Sequence, residues 1–300
     1  MNIVVCVKPV LDMSIIDPCD YVKGTTGEDD LVYIINPPDM AAVEEAVRIK
    51  QIDGTGTVTV VSLAPPSADR LLRRCLAVGA DQAFRCWDDG FDRVDAYSTG
   101  VIIAKAIRLS DCDLILCGVR ATDSAAGQVG YVIANILDIP IVTGVTDIQG
   151  SHENNKIMLE RKLEKGNREM IEVVLPALFG VEEAIADVRY ASLVSLFRSL
   201  RSEIKSYGLK ELGISYEEAG LKQPKTKTIN ISVPKPRPKK IFTPDSNLSA
   251  AERMRLIMSG GIAEKEEDLF EGSPEDLSLK FVDFLRRFNI LESDDIGSVT

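Results

Sequence analysis

The sequence predicts an α/β protein: a doubly wound, mostly parallel sheet with helices on both faces, a small antiparallel extension, and an extended C-terminal arm ending in a helix. Three observations lead there. Strand-like and helix-like segments alternate over about the first 140 residues, and such alternation builds a parallel sheet covered on both sides. After Pro140 the pattern changes to β-branched runs joined by turn residues, as in antiparallel hairpins. The last third is polar and proline-rich until one final amphipathic stretch.

Ile3 to Val7 is a continuous apolar run closed by Lys8-Pro9, which is how a strand buried on both faces reads. A loop rich in Asp, Gly and Pro leads through Asn36-Pro37-Pro38-Asp39 into a helical stretch, with Val43, Ala46 and Val47 on one face and Glu44 and Glu45 on another. Thr57 to Leu63 is a β-branched strand. Pro65-Pro66-Ser67 opens a helix with Ser67 as its expected cap; Leu71, Leu72, Cys75 and Leu76 face inward, and Gly79 marks the stop. Gln82 to Arg85 reads as a short strand, Asp95 to Leu109 as a helix, Asp113 to Gly118 as a buried strand, and Ser124 to Leu137 as a helix. Beyond Pro140, Ile141 to Ile148, Lys156 to Leu163 and Met170 to Leu175 read as strands, with turns at Gly150-Ser151 and Lys165-Gly166-Asn167. Ala177 to Val181 is a further strand, and Arg189 to Lys205 is basic and amphipathic.

The run Pro234-Lys235-Pro236-Arg237-Pro238-Lys239-Lys240 is stiff and basic and reads first as a solvated linker. In the final helix Ser273 is the cap, Pro274 fits the first turn and Asp276 completes a box-like pattern. Leu277, Phe281, Phe284, Leu285 and Phe288 share one apolar face, which suits docking on a partner chain and folding back on its own domain equally well. The division expected is an α/β domain over 1–205 and an arm with its helix over 206–300.

The 300 residues are 45% hydrophobic, enough for a sizeable core. The formal charge of −11 argues against nucleic acid as main partner, because phosphate binding needs excess Lys and Arg. Cys6, Cys19, Cys75, Cys86, Cys112 and Cys117 form no C-x-x-C pair and read as reduced, mostly buried thiols. Met1 to Lys8 has no basic leader, and no run of about 18 apolar residues exists. The expectation is therefore a cytoplasmic protein without a transmembrane segment. The only histidine, His152, lies in a polar turn, so neither a triad nor a metal site is expected. No G-x-S-x-G, Walker A or G-x-G-x-x-G motif occurs, and no catalytic residue is assigned. Ser259-Gly260-Gly261 is similar to the phosphate loop of ATP pyrophosphatases. That loop should follow the first strand, where Lys8-Pro9 stands instead, so it reads as a turn.

Ligands of doubly wound sheets bind beyond the carboxyl ends of the strands, where the chain order reverses. The loops after Val7, Leu63 and Gly118 are the places to look. The strongest constellation runs from Gly118 through Val119, Arg120, Ala121, Thr122, Asp123, Ser124, Ala125, Ala126, Gly127, Gln128 and Val129 to Gly130. Small residues at 125–127 admit a ligand to the backbone, and a helix start favours phosphate. Ser124 and Gln128 can add side-chain bonds. Close packing of a small-residue helix start against the sheet explains the same pattern equally well.

Three stretches together resemble the beta subunit of electron-transferring flavoproteins. They are Val4-Val5-Cys6-Val7-Lys8 with Asn36-Pro37-Pro38-Asp39 and Ala42-Val43-Glu44-Glu45-Ala46; Asp113 to Gly118 running through Ala121-Thr122-Asp123 to Gln128-Val129-Gly130; and Leu175-Pro176-Ala177 followed by Asp187-Val188-Arg189-Tyr190-Ala191-Ser192-Leu193. Phe270-Glu271-Gly272-Ser273-Pro274 resembles members with a long C-terminal arm. The resemblance implies a heterodimer with an alpha subunit that carries FAD, fed with electrons by a flavin-dependent, acyl-CoA-type dehydrogenase. It implies an adenine nucleotide in this chain: AMP in ordinary members, a second FAD in members that bifurcate electrons from NADH. Carried over by position, that site comprises Cys6, Asn36, Pro37, Pro38, Asp39, Leu63 and the run Thr122, Asp123, Ser124, Ala125, Ala126, Gly127, Gln128, Val129, Gly130, Tyr131, Val132 and Ile133.

The resemblance also implies that Arg189, Tyr190, Ala191, Ser192, Leu193 and Phe197 dock the dehydrogenase, with Leu193 as anchor. The family's lysines after this point are replaced by Phe197-Arg198-Ser199-Leu200-Arg201-Ser202-Glu203. Bifurcating members carry Asp and Thr where this chain has Ala125 and Ala126, and Pro at Tyr131, whereas Gln128-Val129-Gly130 and the arm are like theirs; the balance leans to AMP. Two rivals remain. An adenylate-transferring enzyme would need a phosphate loop after Val7 and a paired acidic Mg²⁺ site, and a stand-alone nucleotide sensor leaves Leu193 and the last helix without a role.

Overall fold

The computed structural model describes residues 1–16, 27, 31–91, 94–149, 155–222, 224–230, 232, 244–245, 247–258 and 272–287. Cys19, Gly150-Ser151, His152, the Pro234–Lys240 run, Ser259-Gly260-Gly261, Phe270-Glu271 and Phe288 lie outside them. In chain order the elements are β1 (Ile3–Cys6), β2 (Pro9–Leu11), β3 (Tyr33–Ile35), α1 (Pro37–Asp53), β4 (Val58–Leu63), α2 (Asp69–Val78), β5 (Gln82–Cys86), α3 (Ala96–Ile107), β6 (Leu114–Gly118), α4 (Val129–Leu137), β7 (Ile141–Gln149), β8 (Lys156–Lys162), β9 (Arg168–Val174), β10 (Ala177–Val181), α5 (Leu193–Arg201) and β11 (Ile204–Tyr207). A separate C-terminal unit carries α6 (Ala250–Met258) and α7 (Pro274–Arg287).

One nine-stranded sheet has the order β11-β5-β4-β1-β6-β10-β7-β8-β9. Pairing is parallel from β11 across to β7 and antiparallel through β8 and β9. The chain leaves β1 for β4 and β5 on one side, then crosses back to β6 on the other. Here the winding reverses, so the crevice for a ligand falls at the carboxyl end of β1.

The apolar runs are continuous because both faces of the central strands are covered. Ile3, Val5 and Val7 face a core shared with Val43 and Val47 of α1 and Leu72 and Cys75 of α2. Val4 and Cys6 face the opposite core with Ile102 of α3 and Ile133 of α4. In β7–β9 the first core continues through Ile148, Ile157, Leu159 and Val173. The other side of that hairpin carries ion pairs, Lys156–Glu172 at 2.6 Å and Arg168–Glu160, the alternation of a sheet wetted on one face.

The structure departs from the sequence expectation at four places. Ser67 caps no helix: it lies in a 3₁₀ turn, Pro66–Ala68, and α2 starts only at Asp69. The helix expected from Ser124 begins at Val129, because Ala125 (φ 50°) and Gly127 (φ 59°) adopt left-handed backbone that a helix cannot contain. The loop after β1 contains an antiparallel ribbon, β2 with β3. The basic stretch 189–205 is not one helix: α5 ends at Arg201, and Ile204–Tyr207 join the sheet edge beside β5. Leu212, Ile214 and Ala219 are buried in the second core, and the compact unit runs to Pro234.

In the C-terminal unit, α6 opens with a reciprocal capping box. The Ser249 N–H donates to Glu252 Oε2 at 3.0 Å, and the Glu252 N–H donates to Ser249 Oγ at 3.3 Å. At α7 the Asp276 N–H donates to the expected cap, Ser273 Oγ, at 3.2 Å. Among the described residues Cys6, Cys75, Cys86, Cys112 and Cys117 are free thiols. Burial pushes Cys75, Cys86, Cys112 and Cys117 up to about 12, so they remain protonated small hydrophobes. No helix among the described residues is long and apolar enough to cross a membrane.

Leu116 of β6 is fully buried in the first core. Leu116→Ala is expected to cost about 2–5 kcal/mol, read in urea as a lower midpoint with an unchanged slope.

Candidate nucleotide site at the strand ends

The site is organised by the first turn of α1. An Asn before a helix ordinarily accepts from the helix's own N–H groups. Here Pro37 and Pro38 remove two of those donors, and Asn36 makes no side-chain cap bond. Its amide is free to reach across instead. Asn36 Nδ2 donates to the Arg120 carbonyl at 3.1 Å, and Asn36 Oδ1 accepts from the Thr122 N–H at 3.0 Å. The Asn36 N–H donates to the Lys8 carbonyl at 2.9 Å. One residue, 1% exposed, thereby ties the loop after β6 to the chain leaving β1.

Asp39 does the same at the strand tips. Asp39 Oδ2 accepts from the Lys8 N–H at 2.8 Å, and Oδ1 accepts from the Gly118 N–H at 2.9 Å. Both donors sit at the ends of β1 and β6, where the ladder has run out. Gly118 is required by the close approach: a Cβ there would meet Asp39 Oδ1 at 2.4 Å and Pro38 Cβ at 2.7 Å. Burial pushes the Asp39 carboxyl up to about 6, against the downward pull of Asn36 and the Lys8 and Gly118 N–H groups.

Lys8 supplies a cation. Its Nζ bonds Asp123 at 2.6 Å and Ser124 Oγ at 3.5 Å, with the lysine side chain about half exposed. Burial raises the Asp123 carboxyl, but the bonds from Lys8 and Ser124 outweigh it and hold it below its ordinary value. An exposed pair of this kind contributes about 0–1 kcal/mol, so an incoming anion can compete for the lysine. Beyond it, the loop 122–126 is exposed and leads towards α4. The Val132 N–H makes the first intrahelical bond, to the Gln128 carbonyl. The N–H groups of Val129, Gly130 and Tyr131 precede it and form the positive end of the helix dipole.

Of the strand-end residues expected from sequence, these bonds bring together Asn36, Asp39, Thr122, Asp123 and Ser124. Cys6 stands beside Cys117 in the β1–β6 register, buried, with its thiol raised well above the ordinary value by burial. Leu63 is half-buried at the end of β4. Tyr131 is exposed, its hydroxyl 3.0 Å from Thr143 Oγ1. It borders an open depression of about 500 Å³ on the outer side of α4, next to Asn135, Asp138 and Pro140. Val132 packs against Gly100 of α3 and Ile133 lies in the core, so both face helix packing. Lys8, Gly118 and Arg120 stand outside the set carried over by position. Their part is played by backbone groups and by one lysine at the end of an apolar run, and no side-chain pattern marks either.

Of the residues expected to dock a dehydrogenase, Arg189 is half-buried on Glu44, Tyr190 is fully exposed, and Ala191 is partly buried. Ser192 caps α5 through a 3.1 Å bond from the Ser195 N–H. Leu193 and Phe197 are exposed.

Fold and site define the class: a doubly wound α/β protein whose switch-point loops are braced by one helix start, with phosphate-suited N–H groups beside them. Residues 24–202 match the electron transfer flavoprotein domain. The chain is 38% identical to an electron transfer flavoprotein subunit beta of Thermoanaerobacterium thermosaccharolyticum, over 90% of this chain and 97% of that protein. It is 37% identical to protein FixA of Azotobacter vinelandii, over 89% and 98%. It is 36% identical to the caffeyl-CoA reductase-Etf complex subunit CarD of Acetobacterium woodii, over 74% and 83%. The chain belongs to the electron transfer flavoprotein beta-subunit family, and its role is in electron transfer.

The Asp39 shift has a measurable sign. An acid whose carboxyl is raised in the folded state stabilises the fold only while protonated. That contribution is present below the ordinary value of 3.8 and is lost as pH rises through about 6. The stability of the parent relative to Asp39→Asn should therefore fall between pH 4 and pH 7, by on the order of 3 kcal/mol, and level off above. Paired urea melts across that range check it.

Proposed function

We propose that this chain is the beta subunit of a heterodimeric electron-transferring flavoprotein, and that its strand-end crevice holds an adenine nucleotide. The alpha subunit would hold the working FAD, with a flavin-dependent dehydrogenase as electron donor. The beta-subunit names among the relatives support the alpha partner, and the flavoprotein family supports flavin in the complex. CarD's place in a caffeyl-CoA reductase complex supports a partner that handles CoA thioesters.

The observation that carries the reading is the brace of Asn36 and Asp39, which ties the ends of β1 and β6 to the loop 118–124, where the winding of the sheet reverses. The residues there fit a nucleotide phosphate. The N–H groups of Val129, Gly130 and Tyr131 and the Lys8 ammonium are donors. Ala125, Ala126 and Gly127 place no more than a methyl group in the way. AMP would act structurally, steadying these loops; a flavin supplies the electron chemistry, and the protein supplies placement and electrostatics. Leu193 and Phe197, away from the crevice, offer the dehydrogenase an exposed apolar edge.

The test is a nucleotide count on the complex co-purified with its alpha subunit. About one FAD and one AMP per heterodimer is expected. About two FAD and no AMP would assign this crevice to a second flavin and electron bifurcation. A complex carrying one FAD and no other adenine nucleotide contradicts the nucleotide site.

A further inference from the structure

Helix α5 is held to the body of the protein in an unusual way. Its only buried residue is Ser199. Leu193 is 69% exposed, Phe197 58% and Leu200 63%, and the preceding Tyr190 is completely exposed. An amphipathic helix ordinarily sits down on its apolar stripe; this one turns that stripe outward. The stretch before it, 186–192, belongs to no strand or helix. Val188 before the edge and Ile204 after it pack against the first core, but the exposed apolar side chains of 190–200 themselves do little to fix where this edge stands.

Polar clips do so at both ends. At the first, Arg189 Nε donates to Glu44 Oε1 at 2.8 Å and to Oε2 at 3.0 Å, Nη2 pairs with Oε1 at 2.6 Å, and the Arg189 N–H donates to Oε2 at 3.2 Å. Glu44 is 6% exposed, and it lies on α1, the helix whose first turn braces the strand ends. Forked pairs of this kind fix direction as well as distance. At the far end, Arg73 of α2 donates to the last carbonyls of α5, to Leu200 O at 3.2 Å and Ser202 O at 2.8 Å. A cation there also complements the helix dipole.

We infer that Glu44 is a positioning residue for partner docking: through Arg189 it aims the apolar edge 190–200 at the dehydrogenase, with Arg73 as the second point of attachment. Glu44 touches neither nucleotide nor dehydrogenase. Without it the edge keeps its composition and loses its place, so the encounter weakens while electron transfer inside the formed complex does not. The inference rests on the proposed docking role of this edge.

The experiment uses the heterodimer with its alpha subunit as electron acceptor for an acyl-CoA dehydrogenase. KM for the heterodimer, kcat and nucleotide content are measured. Glu44→Gln is expected to raise KM about fivefold, leaving kcat within twofold and nucleotide content unchanged. Arg189→Lys, which keeps a cation beside the carboxylate and loses the fork, should raise KM in the same direction. The double variant Glu44→Gln with Arg189→Lys should be no worse than the more affected single one. Leu193→Ala serves as the control for the edge. If Leu193→Ala raises KM and Glu44→Gln leaves it at the parent value, the positioning role is overturned. If Leu193→Ala itself leaves KM unchanged, the docking role fails and the inference falls with it.

Discussion

Two backbone N–H groups converge on the Asp39 carboxylate from strands that lie side by side, and the candidate site depends on that convergence. Where the β1–β6 ladder ends, the Lys8 and Gly118 N–H groups would otherwise stand unpaired at partly buried positions. Asp39 satisfies both with one side chain. Burial of that carboxylate is unfavourable and pushes its titration up; the helix start holds it there. Pro37 and Pro38 supply the rigidity: their fixed backbone sets the helix direction, and their missing N–H groups take two donors away from the Asn36 side chain, which makes no cap bond.

Helix α1 thus serves two places. Its first turn positions the loops beyond β1 and β6, and its second turn presents Glu44 to Arg189. Its inner face is packed against the sheet through Val43, Ala46 and Val47. The proposed nucleotide site and the proposed docking edge therefore share one stiff element. The bonds nearest solvent are the weakest. The Lys8–Asp123 pair is exposed and easily exchanged, which suits a cation that meets an arriving phosphate.

The alternating architecture was legible because hydrophobic burial writes itself into the sequence. The continuous apolar runs at Ile3–Val7 and Asp113–Gly118 mark strands covered on both faces, and the period of Leu71, Leu72, Cys75 and Leu76 marks a helix with one buried side. The loops that the brace ties together lie at the strand ends that the sequence singled out. The bonds that shape them were not. From the residues alone Asn36 to Asp39 read as the end of a loop leading into a helix, because the partners of Asn36 and Asp39 at Gly118, Arg120 and Thr122 lie 79, 84 and 86 residues away. The late start of α4 was hidden too: Ala125 is a helix former by propensity, and its left-handed backbone is imposed by the loop around it. The short β2 and β11 strands depend on pairing with distant segments, which no local pattern reports.

If the helix-start brace holds the strand-end loops in the form that retains an adenine nucleotide, breaking the brace must release that nucleotide. Asn36→Ala removes the bonds to Arg120 and Thr122 and leaves the apolar cores intact. The direct measurement is adenine nucleotide released by acid from the purified heterodimer carrying Asn36→Ala, beside the parent, with FAD counted separately. The adenine nucleotide proposed for this chain is expected to drop to less than half while the alpha-subunit FAD stays. Full retention of both would contradict that role of the brace.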